Sequence, residues 1–185
     1  MRARLLIGCL ALALAGCQSS NVNRDFDASR DFAAYRSWSW QEPALQYRPD
    51  DPRIRSDLTE QRLRQAVAEA LDQRGLRPAK GGAADLKVQA WLIVDNRREQ
   101  ITTSYGGPWG PGWGGPWAGP GWNETRSLDY RVATLQLDLL DGRDGKLVWR
   151  ASEERVMADQ GAAPTERAQA LRQAVYRLLE QYPPR

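Results

Sequence analysis

Residues Ala84–Asp95 read ADLKVQAWLIVD, and the pattern alternates without a break. Leu86, Val88, Ala90, Leu92 and Val94 fall on one side; Lys87, Gln89, Trp91, Ile93 and Asp95 fall on the other. A period of two places these sets on opposite faces of a β-strand. One apolar face has to be covered, so the neighbouring segments decide the architecture. The extended pattern runs on through NRREQITTSY to Tyr105, with a twist or bulge expected on the way.

Upstream lies a helix. Asp57 can act as N-cap with Glu60 three residues on, and Leu63, Ala66, Val67, Ala70 and Leu71 form one apolar stripe. Gly75, Leu76 and Pro78 supply its ending. Before it, DFAAYRSWSW (31–40) predicts a first strand, with Trp38 and Trp40 on one face. QEPALQYRPDDPR (41–53) then reads as a loop broken by Pro43, Pro49 and Pro52.

Downstream, TRSLDYRVATLQLDLLD (125–141) alternates again, with Ala133, Leu135, Leu137 and Leu139 inward and Thr134, Gln136 and Asp138 outward. Asp141-Gly142 and Asp144-Gly145 make a turn, and KLVWRASEERVM (146–157) returns as a strand. A second helix opens near Pro164 with the stripe Ala168, Leu171, Val175, Leu178 and Tyr182, and Pro183-Pro184 ends it. The predicted order is β-α-β-β-β-α. Its economical packing is an α+β two-layer sandwich, a mostly antiparallel sheet with both amphipathic helices on one face. Strand order does not follow from the pattern. Trp38, Trp40, Trp91 and Trp149, all on strands, read as packing residues.

Between the middle strands stands GGPWGPGWGGPWAGPGW (106–122). It holds eight of the sixteen glycines and four of the eight tryptophans: Trp109, Trp113, Trp117 and Trp122. So many breakers forbid a helix or a central strand, which leaves a long loop in a hairpin frame. Three readings stay open: a low-complexity insert, a recognition loop showing indole faces to a glycan or protein, and an anchor in the headgroup layer of a membrane.

The first residues, MRARLLIGCLALALAGCQSS, carry Arg2 and Arg4, then an apolar run from Leu5 to Leu14. That is a secretory signal over residues 1–16, too short for a permanent span. Leu14-Ala15-Gly16-Cys17 resembles the bacterial lipobox, which implies a chain beginning at a lipidated Cys17. A tether (17–24) and one domain (25–185) follow. Gln18, in place of an aspartate, points to the outer membrane, with the domain facing the periplasm.

Cys9 leaves with the signal and Cys17 is taken by lipid, so no thiol remains, and the chain has no histidine. Zinc patterns are thereby excluded, and neither a phosphate-binding loop nor a calcium loop occurs; no cofactor is expected. Loss of Arg2 and Arg4 leaves the positive and negative charges nearly equal and interspersed, which argues against nucleic acid as a partner. Asp85, Asp95, Glu99, Glu124, Asp129 and Asp138 could in principle supply an acid/base pair, but none falls in a catalytic motif. They read as solvated surface carboxylates.

DFDASRDFAAYRSWSW, ADLKVQAWL, LDLLDGRDGKLVWRA and LLEQYPP occur in this order across residues 25–184. Together they resemble the domain-of-unknown-function family 4136. The resemblance implies a bacterial envelope lipoprotein with a periplasm-facing α/β domain. Many members carry a Gly-rich aromatic segment between the middle strands, and the family implies no activity. The expectation is a non-enzymatic binding or assembly module, anchored to membrane by its N-terminal lipid. It would contact a periplasmic protein or cell-wall glycan through the tryptophans. The alternatives are a carboxylate-dependent glycan hydrolase and a purely structural envelope protein.

Overall fold

The computed structural model describes residues 22–105, 122–157 and 163–184. The elements are β1 (Val22–Phe26), β2 (Ser37–Arg48), α1 (Asp57–Gln73), β3 (Arg77–Pro78), β4 (Leu86–Tyr105), β5 (Trp122–Asp141), β6 (Leu147–Val156) and α2 (Pro164–Glu180). They build one six-stranded sheet in the order β1-β6-β5-β4-β2-β3. The α+β class and the helix-covered sheet agree with the sequence pattern.

The element order is richer than predicted. Val22–Phe26, assigned in part to the tether, pairs antiparallel with β6 as an edge strand. Phe32–Ala34 is a 3₁₀ turn capped by Asp31, so the strand expected from residue 31 begins only at Ser37. That strand then runs through the supposed loop to Arg48, because its register shifts between Trp40 and Leu45. Pro43 sits in this bulge, where the missing N–H breaks no ladder bond. β2 pairs parallel with both β3 and β4, which makes the sheet mixed. Parallel neighbours need a crossover, and α1 is that crossover.

One core joins both helices to one face. Leu86, Val88, Ala90, Leu137, Leu139, Trp149 and Ala151 of the sheet meet Leu63, Val67, Ala70 and Leu71 of α1 and Val175, Leu178 and Leu179 of α2. Trp149 is fully buried and stands edge-on to Tyr182, whose hydroxyl burial pushes well above its ordinary range. Trp38 is buried edge-on against Trp40. Trp91 lies on the face opposite the helices, half-buried, with the Arg48 guanidinium over its ring.

The N-cap of α1 is Ser56, not Asp57: Ser56 is extended and its hydroxyl accepts from the Thr59 N–H, whereas Asp57 already belongs to the first turn. Its C-terminus matches expectation. Gly75 is left-handed (φ 81°), and the N–H groups of Gly75 and Leu76 close on the carbonyls of Asp72 and Leu71. Gly142 in the β5–β6 turn donates to the Asp85 carbonyl at 2.7 Å, and a Cβ there would collide with the Ala84 carbonyl oxygen.

Candidate functional site

The carboxylates considered for acid/base work are scattered, and two of them are structural. Asp85 accepts from the Arg36 and Ser37 N–H groups (3.0 and 2.9 Å) and from the Ser37 hydroxyl (2.8 Å). These bonds hold its pKa below the usual carboxylate range and clasp the start of β2 to β4. Asp138 is not the solvated residue its outward position implied. It is buried and takes two bonds from Arg150, at 2.6 and 2.7 Å, and two from Gln136. The register explains it, since Gln89, Asp138, Arg150 and Asp25 stand side by side across four strands. Asp129 pairs with Arg98, Glu124 with Arg126, and Asp95 and Glu99 are exposed. Among the described residues no cluster suited to a metal occurs.

A buried acid that sequence reasoning passed over is Asp141. It receives the Tyr35 hydroxyl (2.9 Å), the Arg30 guanidinium (3.1 Å) and the Arg143 N–H (2.7 Å). The Arg143 N–H is the foremost cause of its lowered pKa, while burial and this carboxylate push the Tyr35 phenol up to about 12. These bonds pin the turn after β5 to the segment after β1.

Two features stand apart from the packed core. The first is an arm. β4 and β5 stay in register for twenty pairs, from Leu86↔Asp141 to Tyr105↔Trp122. β2 stops at Ile93 and β6 at Val132, so among the described residues the last ten pairs stand as a bare ribbon. At about 3.4 Å per residue the arm extends roughly 30 Å beyond the body. Its faces are polar or isolated: Ile101 and Leu128 are exposed, Thr102 meets Thr125 at 3.1 Å, and Arg98 forks Asp129. The backbone of Trp122 is the first of β5, paired with Tyr105, rather than the end of a loop. Trp109, Trp113, Trp117 and the segment bearing them, like Cys17 and the signal, lie outside the described residues.

The second feature is a cleft of about 630 Å³ on the helix-covered face, where the N-terminal turns of α1 and α2 diverge from the sheet. Leu92, Val94, Ala133 and Leu135 form its floor; Leu58, Ala170, Leu171 and Ala174 form its walls. Arg53, Arg55, Arg62, Arg131, Arg155 and Arg167 also line it, against a single acid, Glu153. Glu153 is itself held by Arg177 of α2 (2.8 Å). Arg53 pairs with Asp51, which it lowers to about 2, and Arg55 with Asp50. No sequence signal announced this site, because its arginines come from the β2–α1 connection, both helices, β5 and β6.

Arm and N-terminus leave the body at the same end. β1 runs antiparallel to β6 with Val22 opposite Glu153, so Val22 stands beside the cleft and toward the base of the arm. No helix among the described residues is long and apolar enough to cross a membrane.

Similar folds occur in solved structures. A PDZ domain protein from Parabacteroides distasonis matches with a TM-score of 0.56 at 14% identity, over 90% of this chain and 36% of the other. The chain thus spans little more than a third of that protein. The PelC dodecamer from Paraburkholderia phytofirmans matches at 0.43 and 12% identity (86% and 94% covered). A minor lipoprotein from Acinetobacter baumannii matches at 0.32 and 14% (80% and 88%). No curated protein matches the sequence. The model of a domain of unknown function, DUF4136, matches residues 22–184, a span that contains every described residue, and the chain belongs to that family.

Proposed function

We propose that this protein is a lipid-anchored, non-enzymatic binding module of the bacterial cell envelope that presents tryptophans at the end of a rigidly based arm. The observation that carries this reading is the common exit of arm and N-terminus from one end of the sheet. Four residues lie between Cys17 and Val22, so the five steps span at most about 18 Å when extended. That tether is shorter than the arm, so a body held by acyl chains at Cys17 keeps the arm's tip within reach of the same leaflet. Indoles prefer the headgroup layer, and two or three acyl chains already give permanent attachment. The arm's work is then orientation, and the outer membrane is the expected leaflet's home.

The competing ligands for the same indoles are a periplasmic protein or a wall glycan. One deletion separates them. Residues 18–185, which contain every described strand and helix, are compared with the same chain lacking Gly106–Gly121. The parent is expected to bind phosphatidylethanolamine/phosphatidylglycerol vesicles with a blue shift of tryptophan emission, and the deleted chain to lose both. If the two bind vesicles alike while only the parent retains wall glycan or a protein partner, the membrane reading fails and recognition replaces it. Cys17→Ala should release the full-length protein from the membrane fraction. Chitooligosaccharides incubated with the domain should remain intact; turnover would favour the hydrolase alternative.

A further inference from the structure

The cleft under the helix N-termini is built for an amphiphile of one charge sign. Its floor is aliphatic, and its volume of about 630 Å³ lies in the range of small-molecule sites and fits one acyl chain better than two. Glu153, the one acid in its lining, is already engaged by Arg177. Arg131, Arg155 and Arg167 are exposed and border the apolar floor from three different elements. Ala133 of that floor lies in register between Val94 and Arg155, so apolar and cationic groups are immediate neighbours across the strands. Guanidinium groups arriving from several directions suit a head with several acceptor oxygens, which a phosphate offers and a single carboxylate does not. The first turns of both helices, with their partial positive charge, also line the cleft.

We infer that the cleft holds one acyl chain of a phosphate-headed anionic membrane lipid, its phosphate seated among Arg131, Arg155 and Arg167. The site lies at the base of the arm, which contributes Arg131, and does not depend on what the arm's tryptophans contact.

The probe is 1-oleoyl-lysophosphatidate below its micelle concentration, with lysophosphatidylcholine and oleate as the zwitterionic and carboxylate comparisons. Binding to residues 18–185 is followed by native mass spectrometry and titration calorimetry. One lysophosphatidate per chain is expected, at least tenfold tighter than either comparison. Arg131→Gln with Arg155→Gln alters two exposed side chains and should weaken lysophosphatidate at least tenfold, and lysophosphatidylcholine, whose phosphate charge is offset by its choline, by a smaller factor. Ala170→Trp fills the cleft and should abolish binding of all three. If it fails to fold, as judged by circular dichroism, the double arginine variant still decides. Equal affinity for lysophosphatidate and lysophosphatidylcholine, preference for oleate, absence of binding, or a folded Ala170→Trp chain that binds like the parent would each overturn the inference.

Discussion

The same two strands live two different lives. From Leu86 to Val94 and from Ala133 to Asp141, β4 and β5 alternate apolar and polar residues, and their apolar side meets the helices. From Asp95 to Ser104 and from Asn123 to Arg131 the pairing continues, yet nearly every side chain is exposed. Hydrogen-bonded ladders are equally present in both halves, so the ladder cannot be what distinguishes them. Burial does: a lone two-stranded ribbon is marginal in water, and the arm keeps its register because the body fixes its base.

The largest test of that contrast is truncation on each side of the boundary. Trp149→Ala empties a fully buried site and should cost about 3–5 kcal/mol, read as a lowered urea midpoint. Leu128→Ala, on the exposed arm, should stay within about 0.5 kcal/mol. An arm substitution that destabilised as much as the core one would mean the ribbon folds back on something.

Asp138→Ala comes next. It would strand Arg150 after removing a buried carboxylate, but Arg150 is 42% exposed and can reach water. The full cost of breaking a buried pair is therefore discounted to about 2 kcal/mol. Arg150→Met, which leaves Asp138 buried with only Gln136, should cost at least as much.

Acid should weaken the body through Asp85 and Asp141. Asp85 and Asp141 have pKa values lowered in the folded state, so each stabilises above the unfolded carboxylate value of about 3.9. That contribution fades as pH falls through the lower, folded pKa. The melting temperature should hold from neutrality to about pH 4 and drop below it. Asp85→Asn should flatten the drop, and an unchanged acid profile in that variant would remove Asp85 from the explanation.

How far the fold could be read from the sequence depended on where side-chain pattern and burial coincide. ADLKVQAWLIVD and the two helical stripes declared their faces because one face is covered. Val22–Phe26 and Arg77–Pro78 did not, since edge strands held mainly by backbone pairing leave little periodic trace. Pro43 misled for a related reason: a bulge hides a proline inside a strand that composition would end. Asp138 shows the converse, an outward position that becomes buried through neighbours on other strands. The arginine-lined cleft was invisible altogether, because only the topology gathers residues numbered from 53 to 167. Ser56 and Asp57 differ by a single position, below the resolution of a capping pattern. Ser56→Ala should still cost about 1 kcal/mol of stability, and Asp57→Ala less.

The smallest effect lies on the arm itself. Arg98 and Asp129 face each other across β4 and β5 at 2.7 Å, with both side chains about two-thirds exposed. Water and salt screen such a pair, so a double-mutant cycle with Arg98→Ala and Asp129→Ala should return a small coupling that vanishes at high salt. Global unfolding is a poor reporter, because the core cluster contains no residue of the arm. Amide exchange at Thr102, Thr103 and Arg126 is the sensitive readout, since local opening of the ribbon precedes unfolding of the core. Faster exchange confined to those amides, with the melting temperature unchanged, would show two stabilities within one pair of strands. A shift in both together would mean that arm and body unfold as one unit, and the contrast drawn at Asp95 would be lost.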